Sequence, residues 1–205
     1  MALVTEVRER QGIVEVYMEG VRFARIKKVH FEKRPTSAGD DIQPEEYLDT
    51  VAAVQFADAY EAALTSLDFS ARTAREIERS LVRRGYVPAV ARAVTEKLAE
   101  ARLIDDAQYA MRLAEGAARK NAGRYVVKRK LMAKGIGDED AEAALSQLDE
   151  DQQAHAAREA AEKLGRKYER LPLREARAKL SQALARRGFP WDAISEAVDH
   201  FFAEE

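Results

Sequence analysis

The chain holds 205 residues with a net charge of −2 at pH 7, 34% charged residues, 7% aromatic residues and no cysteine. That size admits one or two ordinary domains or a single repeat array, and the missing cysteine excludes disulfides and thiolate metal sites. No apolar run approaches the ~20 residues that span a bilayer. The charged stretch Met1 to Arg10 also lacks the apolar core of a signal peptide, so a soluble cytoplasmic protein without membrane contact is expected.

In chain order, Val4 to Arg8, Ile13 to Met18 and Val21 to Ile26 are short β-prone runs, with Glu19-Gly20 as a turn between the last two. Pro35 to Asp41 is a polar boundary loop that closes a β-rich extension over residues 1–42. Pro44, followed by acids, opens a helix through Tyr47, Val51, Val54 and Tyr60 to about Leu67. The first helical repeat, with this leading helix, occupies residues 43–104. In it Thr73-Ala74-Arg75-Glu76 has the form of a capping box, Ile77 and Leu81 follow at helical spacing, and Gly85 reads as a left-handed helix stop. Pro88 then restarts the chain into a helix carrying Val90, Val94 and Leu98. The second repeat, residues 105–150, is led by a helix near Asp105 to Lys120, turns at Gly135 and takes Asp138 as an N-cap. The third, residues 151–205, is led by a helix from Asp151 to Tyr168. Its middle helix starts from Pro172 without a Ser or Thr cap, the chain turns at Gly188, and Pro190 and Trp191 open the last helix.

The three turns share one grammar. Leu81-Val82-Arg83-Arg84-Gly85-Tyr86, Leu131-Met132-Ala133-Lys134-Gly135-Ile136 and Leu184-Ala185-Arg186-Arg187-Gly188-Phe189 each carry an apolar anchor, one or two bases, a glycine and a second anchor. The glycines lie 50 and then 53 positions apart. Ile77, Val127 and Leu180 stand four before the first anchor, and Leu98, Leu148 and Phe201 stand thirteen after the glycine. The fold class expected is mainly α, with three tandem three-helix repeats in an elongated array behind a short N-terminal β segment. Such arrays grip macromolecules and rarely enclose a small catalytic pocket.

Charge is segregated. Arg72 to Lys134 holds sixteen bases against seven acids, Asp138 to Asp151 holds seven acids and no base, and Asp192 to Glu205 is acidic. That pattern suits a partner carrying both signs, and it leaves nucleic-acid contact in the basic middle open. The candidate contact residues are the bases before each glycine, Arg83, Arg84, Lys134, Arg186 and Arg187, and the basic run Arg119, Lys120, Arg124, Lys128, Arg129 and Lys130. Lys130 and Lys134 share one helical face, while Val127 and Leu131 share the buried one. A base in the last helical turn is also explained by the helix dipole alone. Asp105-Asp106 reads as a helix cap, not a metal site, and His30, His155 and His200 are scattered. With no phosphate loop, dinucleotide motif or convergent polar triad, neither an enzyme nor a cofactor is expected. Most aromatics fall at anchor positions. Trp191 and Tyr125 do not, and exposed aromatics can stack on bases.

Leu103-Ile104-Asp105-Asp106-Ala107-Gln108-Tyr109-Ala110 resembles the junction between the first two repeats of RecX regulatory proteins. The Arg-Arg-Gly-Tyr and Ala-Arg-Arg-Gly-Phe turns, the preceding Thr-x-x-Glu, and Gly123 to Leu131 are similar to the same family's repeats, over roughly residues 57 to 203. The β-prone segment is similar to an extension found in some members. The resemblance implies a curved body of three three-helix units lodged in the groove of the RecA recombinase filament; a monomer is expected. There it blocks filament growth and lowers strand exchange, ATP hydrolysis and coprotease activity. The alternative is a module that binds single- or double-stranded DNA directly, each helix-glycine-helix pair acting as a helix-turn-helix. The second helices of those pairs, Val90 to Glu100, Glu139 to Leu148 and Asp192 to His200, are neutral to acidic, which suits phosphate approach poorly.

Overall fold

Period-two patterning sets the N-terminal sheet. Val14, Val16 and Met18 are buried along β2 (Ile13–Met18), and Ala24 and Ile26 along β3 (Val21–Lys27), while the residues between them are half-buried. With β1 (Ala2–Arg10) and β4 (Asp41–Ile42) they form an antiparallel sheet of order β3-β2-β1-β4. The computed structural model describes residues 1–148 and 150–203. Both hairpins turn on two residues at positive φ, Gln11-Gly12 and the expected Glu19-Gly20, the geometry whose twist matches the flanking strands. A short helix, α1 (Lys28–Phe31), follows β3. The polar loop after it folds on Asp40, whose carboxylate accepts from the Thr36 hydroxyl (2.9 Å) and the Ser37 amide (2.7 Å), before the chain returns as β4.

Helix α2 (Pro44–Phe69) starts at Pro44 as expected, with Glu45 and Glu46 in its first turn, and runs two residues past Leu67. Its buried stripe is Tyr47, Val51, Gln55, Ala59, Ala63 and Ser66. Val54 and Tyr60, expected to mark its course, are half-buried beside that stripe. Tyr47 donates to the Arg34 carbonyl (3.1 Å), and burial pushes its phenol up to about 12. Helices α3 (Ala74–Arg83) and α4 (Pro88–Glu100) share one core with α2 and the sheet. Both halves of the Thr73–Glu76 capping box form, and Pro88 opens α4.

Gly85 sits at φ +88°, and a Cβ there would stand 2.9 Å from the Lys27 amide nitrogen. The close approach has a purpose: the Gly85 carbonyl accepts from the Lys27 amide (3.0 Å) and from Gln55 Nε2 (3.0 Å). Gln55 is fully buried, and its Oε1 accepts from the Val87 amide (2.8 Å), so both ends of its amide are used.

A second fastening lies beside it. Asp58 Oδ2 on α2 accepts from Lys27 Nζ (2.7 Å), His30 Nε2 (2.9 Å) and the Tyr86 hydroxyl (2.6 Å). Hydrogen bonds from Lys27 and then Tyr86 hold the Asp58 carboxyl well below the usual carboxylate range, against a smaller opposing effect of burial. Burial works to lower Lys27, but its hydrogen bonds to Asp58 and Tyr86 outweigh that and raise it. Burial, then the bond to Asp58, raises the Tyr86 phenol.

Contacts divide the chain into two units, residues 1–105 and the part from Asp106 onward. The second unit holds two separate cores. One joins α5 (Asp106–Ala118), α6 (Arg124–Lys134) and α7 (Asp138–Ser146); the other joins α8 (Glu150–Gly165), α9 (Leu173–Arg186) and α10 (Trp191–Ala203). Asp138 is not the N-cap of α7: Gly137 takes that position without a side-chain cap, and Asp138 stands in the first turn, where its charge still meets the dipole. Helix α8 ends at Gly165, before Tyr168. Helix α9 starts after Pro172 with no side-chain cap, as expected. Gly135 and Gly188 share the left-handed conformation of Gly85, each at φ +82°. The repeat anchors Ile77, Leu81 and Tyr86, Val127, Leu131 and Ile136, and Leu180, Leu184 and Phe189 are all at most 2% exposed.

The Asp58 pKa is lower folded than unfolded, so its stabilising contribution is complete above the ordinary carboxylate range and is lost as pH falls through the lowered value. The carboxylate is 44% exposed, which discounts the interaction. Asp58→Asn is expected to cost about 1 kcal/mol at neutral pH. In urea denaturation the gap to the parent narrows as pH drops below about 4. A gap independent of pH would show that the charge is not its source.

Candidate partner-binding surface

Helix α6 carries the densest basic run, and helical geometry splits that run into three sectors. Val127 and Leu131 face the core, as expected. On one flank Arg124 (3.1 Å) and Lys128 (2.5 Å) both reach Glu142 on α7. The hydrogen bond with Glu142 raises Lys128, and the bond from Lys128 holds Glu142 below its ordinary value. On the other flank lie Lys130 and Lys134, whose ammonium stands 5.9 Å from the centre of the Tyr109 ring. The outward sector carries Arg129 with Tyr125, one turn before it and 60% exposed.

The N-terminus of α6 has no side-chain cap of its own. Three successive amides there are satisfied from the third repeat. Gly123 N–H donates to the Arg187 carbonyl (3.1 Å), Arg124 N–H to Gln153 Oε1 (2.9 Å) and Tyr125 N–H to the Gly188 carbonyl (2.9 Å). The two backbones touch: a Cβ on Gly123 would lie 2.1 Å from the Gly188 carbonyl carbon, and one on Gly188 2.4 Å from the Val126 amide nitrogen. This junction brings the exposed Arg186 and Arg187 to the end of α6 that presents Tyr125. Trp191, 71% exposed, follows three residues after Gly188. Arg119 and Lys120 are exposed after α5. In the first unit Arg83 and Arg84 are exposed at the end of α3, and Arg84 donates to the Ala62 carbonyl (3.4 Å).

Among the described residues, Arg119, Lys120, Arg129, Lys130, Arg186 and Arg187 make no ion pair, whereas Arg124 and Lys128 do. Several acids of the third helices are engaged too. Glu142 holds α6, Glu196 of α10 pairs with Arg158 of α8, and Asp199 of α10 pairs with Arg177 of α9. Sequence reasoning missed Glu142, Gln153 and the packing role of Gly123, because each acts across helices and leaves no local pattern.

The three helical units correspond to three family descriptions: "RecX, first three-helix domain" matches residues 59–98, the second such domain 105–145 and the third 150–198. The chain belongs to the RecX family. The "Regulatory protein RecX" of Limosilactobacillus reuteri is 30% identical over 186 residues, covering 90% of this chain and 70% of the relative. That of Streptococcus sanguinis is 31% identical over 171 residues, covering 82% and 65%. That of Bacillus subtilis is 28% identical, covering 83% and 64%, so the chain spans slightly less than two thirds of the latter two relatives. A crystal structure of regulatory protein RecX is similar over 100% of both chains at TM-score 0.66 and 25% identity. One of RecX from Lactobacillus salivarius covers 74% of this chain and 99% of its own at TM-score 0.68 and 29% identity. These relatives are named regulatory proteins. Residues 1–58, with the sheet and Asp58, precede the first matched domain. No helix among the described residues is long and apolar enough to cross a membrane.

If the Gly123–Gly188 contact aligns the second and third repeats, Gly188→Ala is costly on two counts. It forces a left-handed φ on a side chain and drives a Cβ into the Val126 backbone, for a loss of about 3 kcal/mol or more. Gly137→Ser, at a φ of −66° with open space around it, is expected to lie within about 0.5 kcal/mol of the parent and to supply the cap α7 lacks. Thermal melts of both variants check the contrast.

Proposed function

We propose that this RecX-family protein binds the RecA recombinase filament and inhibits its recombinase, ATPase and coprotease activities by occupying the filament groove. The observation that carries this reading is the division of charge in the second unit. Among the described residues, Arg129 and Lys130 on α6 and Arg186 and Arg187 on the turn fastened to its N-terminus make no ion pair, while acids of the third helices are drawn into ion pairs within the protein. A helix-turn-helix reader would need those third helices to approach phosphates, and Asp138, Glu139 and Asp140 on α7 oppose that. Outward cations of mixed spacing suit an acidic protein surface, where they steer encounter and fix register. Blocking a groove requires no catalysis.

A second reading keeps one specific support: Tyr125 and Trp191 are exposed and able to stack on unpaired bases. Single-strand-dependent ATP hydrolysis by the cognate RecA, titrated with this protein at physiological salt, separates the two. Inhibition well below one molecule per recombinase supports the filament regulator. Inhibition only at amounts that coat the DNA, with an affinity whose log falls by ~0.7 per contacted phosphate against log salt on single strands, supports the nucleic-acid module. Arg129→Glu with Lys130→Glu is expected to weaken inhibition by tenfold or more, on the order of 1.4 kcal/mol. Lys128→Glu is expected to do less, because Glu142 already holds that ammonium. Equal effects would remove the three-sector account of α6.

A further inference from the structure

A second basic surface lies wholly in the first unit. Helix α3 presents Arg75, Arg79 and Arg83 at every fourth position, one line along the helix at about 6 Å per step. Arg92 of α4 faces the same groove, a concavity of about 510 Å³. Its apolar lining is Val82, Pro88 and Ala91, and Val82 is 36% exposed although its neighbour Leu81 is fully in the core. The one acid in the groove, Glu78, is already engaged, by Arg75 (3.3 Å) and by the Thr95 hydroxyl (3.3 Å). Arg79, Arg83 and Arg92 have no ion pair among the described residues.

We infer that this groove docks an acidic peptide segment of a protein partner, one that carries an apolar side chain among its carboxylates. Three arginines that make no ion pair among the described residues line one concavity, and a guanidinium offers a planar fork that matches a carboxylate in two parallel hydrogen bonds. The aliphatic lining supplies what a purely electrostatic patch would lack, a seat for one apolar side chain that leaves water when the segment binds. A nucleic-acid strand would use the arginines but not that seat. It draws much of its binding from base stacking on aromatic rings, and no aromatic side chain lines this groove. The inference does not depend on which partner the second unit contacts.

Fluorescence anisotropy on the full chain tests it, with a labelled peptide of three Glu-Glu-Leu-Glu repeats as the probe. The same peptide with each Leu replaced by Ser, and a short labelled oligothymidylate, serve as comparisons. The Leu peptide is expected to bind and the Ser peptide to bind at least about tenfold more weakly. Arg79→Glu with Arg92→Glu is expected to weaken the Leu peptide by tenfold or more. Val82→Ser is expected to weaken the Leu peptide several-fold while leaving the Ser peptide unchanged. Arg79→Ala with Arg92→Ala, which introduces no new charge, gives the same ordering with a smaller loss, and thermal melts show that each variant is folded. Failure of the Leu peptide to bind, or equal binding to parent and Arg79/Arg92 variants, overturns the inference. Oligothymidylate binding that exceeds the peptide's and falls on the same substitutions assigns the groove to phosphates, and overturns it too.

Discussion

A left-handed glycine ends the first helix of each pair, and the carbonyls exposed at such a turn must find donors outside their own helix. In the first and third repeats those donors come from a different element of the fold. Gly85 offers its carbonyl to the Lys27 amide at the end of β3, and Arg187 and Gly188 offer theirs to the amides of Gly123 and Tyr125. A buried amide or carbonyl left unsatisfied costs roughly 1–3 kcal/mol, so each turn and its partner element stabilise one another. Helix α6 is the extreme case: with no cap in its own repeat, it draws three acceptors from the third. The two cores of the second unit are separate in their apolar contacts but joined by this backbone contact. The cations of the third turn are thereby held in register with those of α6.

In the first unit the same turn is fastened twice through one residue. The Lys27 amide binds the Gly85 carbonyl, and the Lys27 ammonium binds Asp58 and the Tyr86 hydroxyl. Three donors on a single carboxylate oxygen connect β3, α1, α2 and the turn after α3. The partial exposure of Asp58 lets water moderate the charge, so it contributes geometry as much as energy. Buried Gln55 adds a neutral clamp from the same helix. The sheet is therefore a structural part of the first unit's core, built from residues that lie outside the family's three helical domains.

What was legible in the sequence was local or periodic. Alternation in Ile13–Met18, the reciprocal Thr73–Glu76 cap and the spacing of Ile77, Leu81, Gly85 and Tyr86 each act within a few residues, and each appears in the structure. Misplacements arose where local rules are degenerate. An acid at the start of a helix is favoured both as N-cap and in the first turn, so Asp138 could not be distinguished from a cap when a glycine preceded it. The course of α2 was legible, but its buried stripe was not, for a different reason. Ala59, Ala63 and Gln55 are chosen for close approach and for backbone hydrogen bonding, and a hydrophobicity pattern weights Val54 and Tyr60 above them. Glu142 and Gln153 act on residues fourteen or more positions away, which no single-sequence pattern encodes.

The charge pattern shows how net charge can mislead about a binding surface. A total of −2 suggests a near-neutral exterior, and the run of bases on α6 suggests one continuous ridge. Neither holds at the surface. Glu142 takes two of those bases, and Glu196 and Asp199 take Arg158 and Arg177, so acids and bases cancel along the contacts between helices. Among the described residues, cations without an ion pair lie elsewhere: Arg129 and Lys130 on α6, Arg186 and Arg187 at the third turn, and Arg79, Arg83 and Arg92 around the groove of the first unit. At ~0.15 M salt, charges separated by more than about 8 Å are largely screened. Local groups and not the total therefore set the field at any one contact, and a slightly acidic protein can carry locally cationic surfaces.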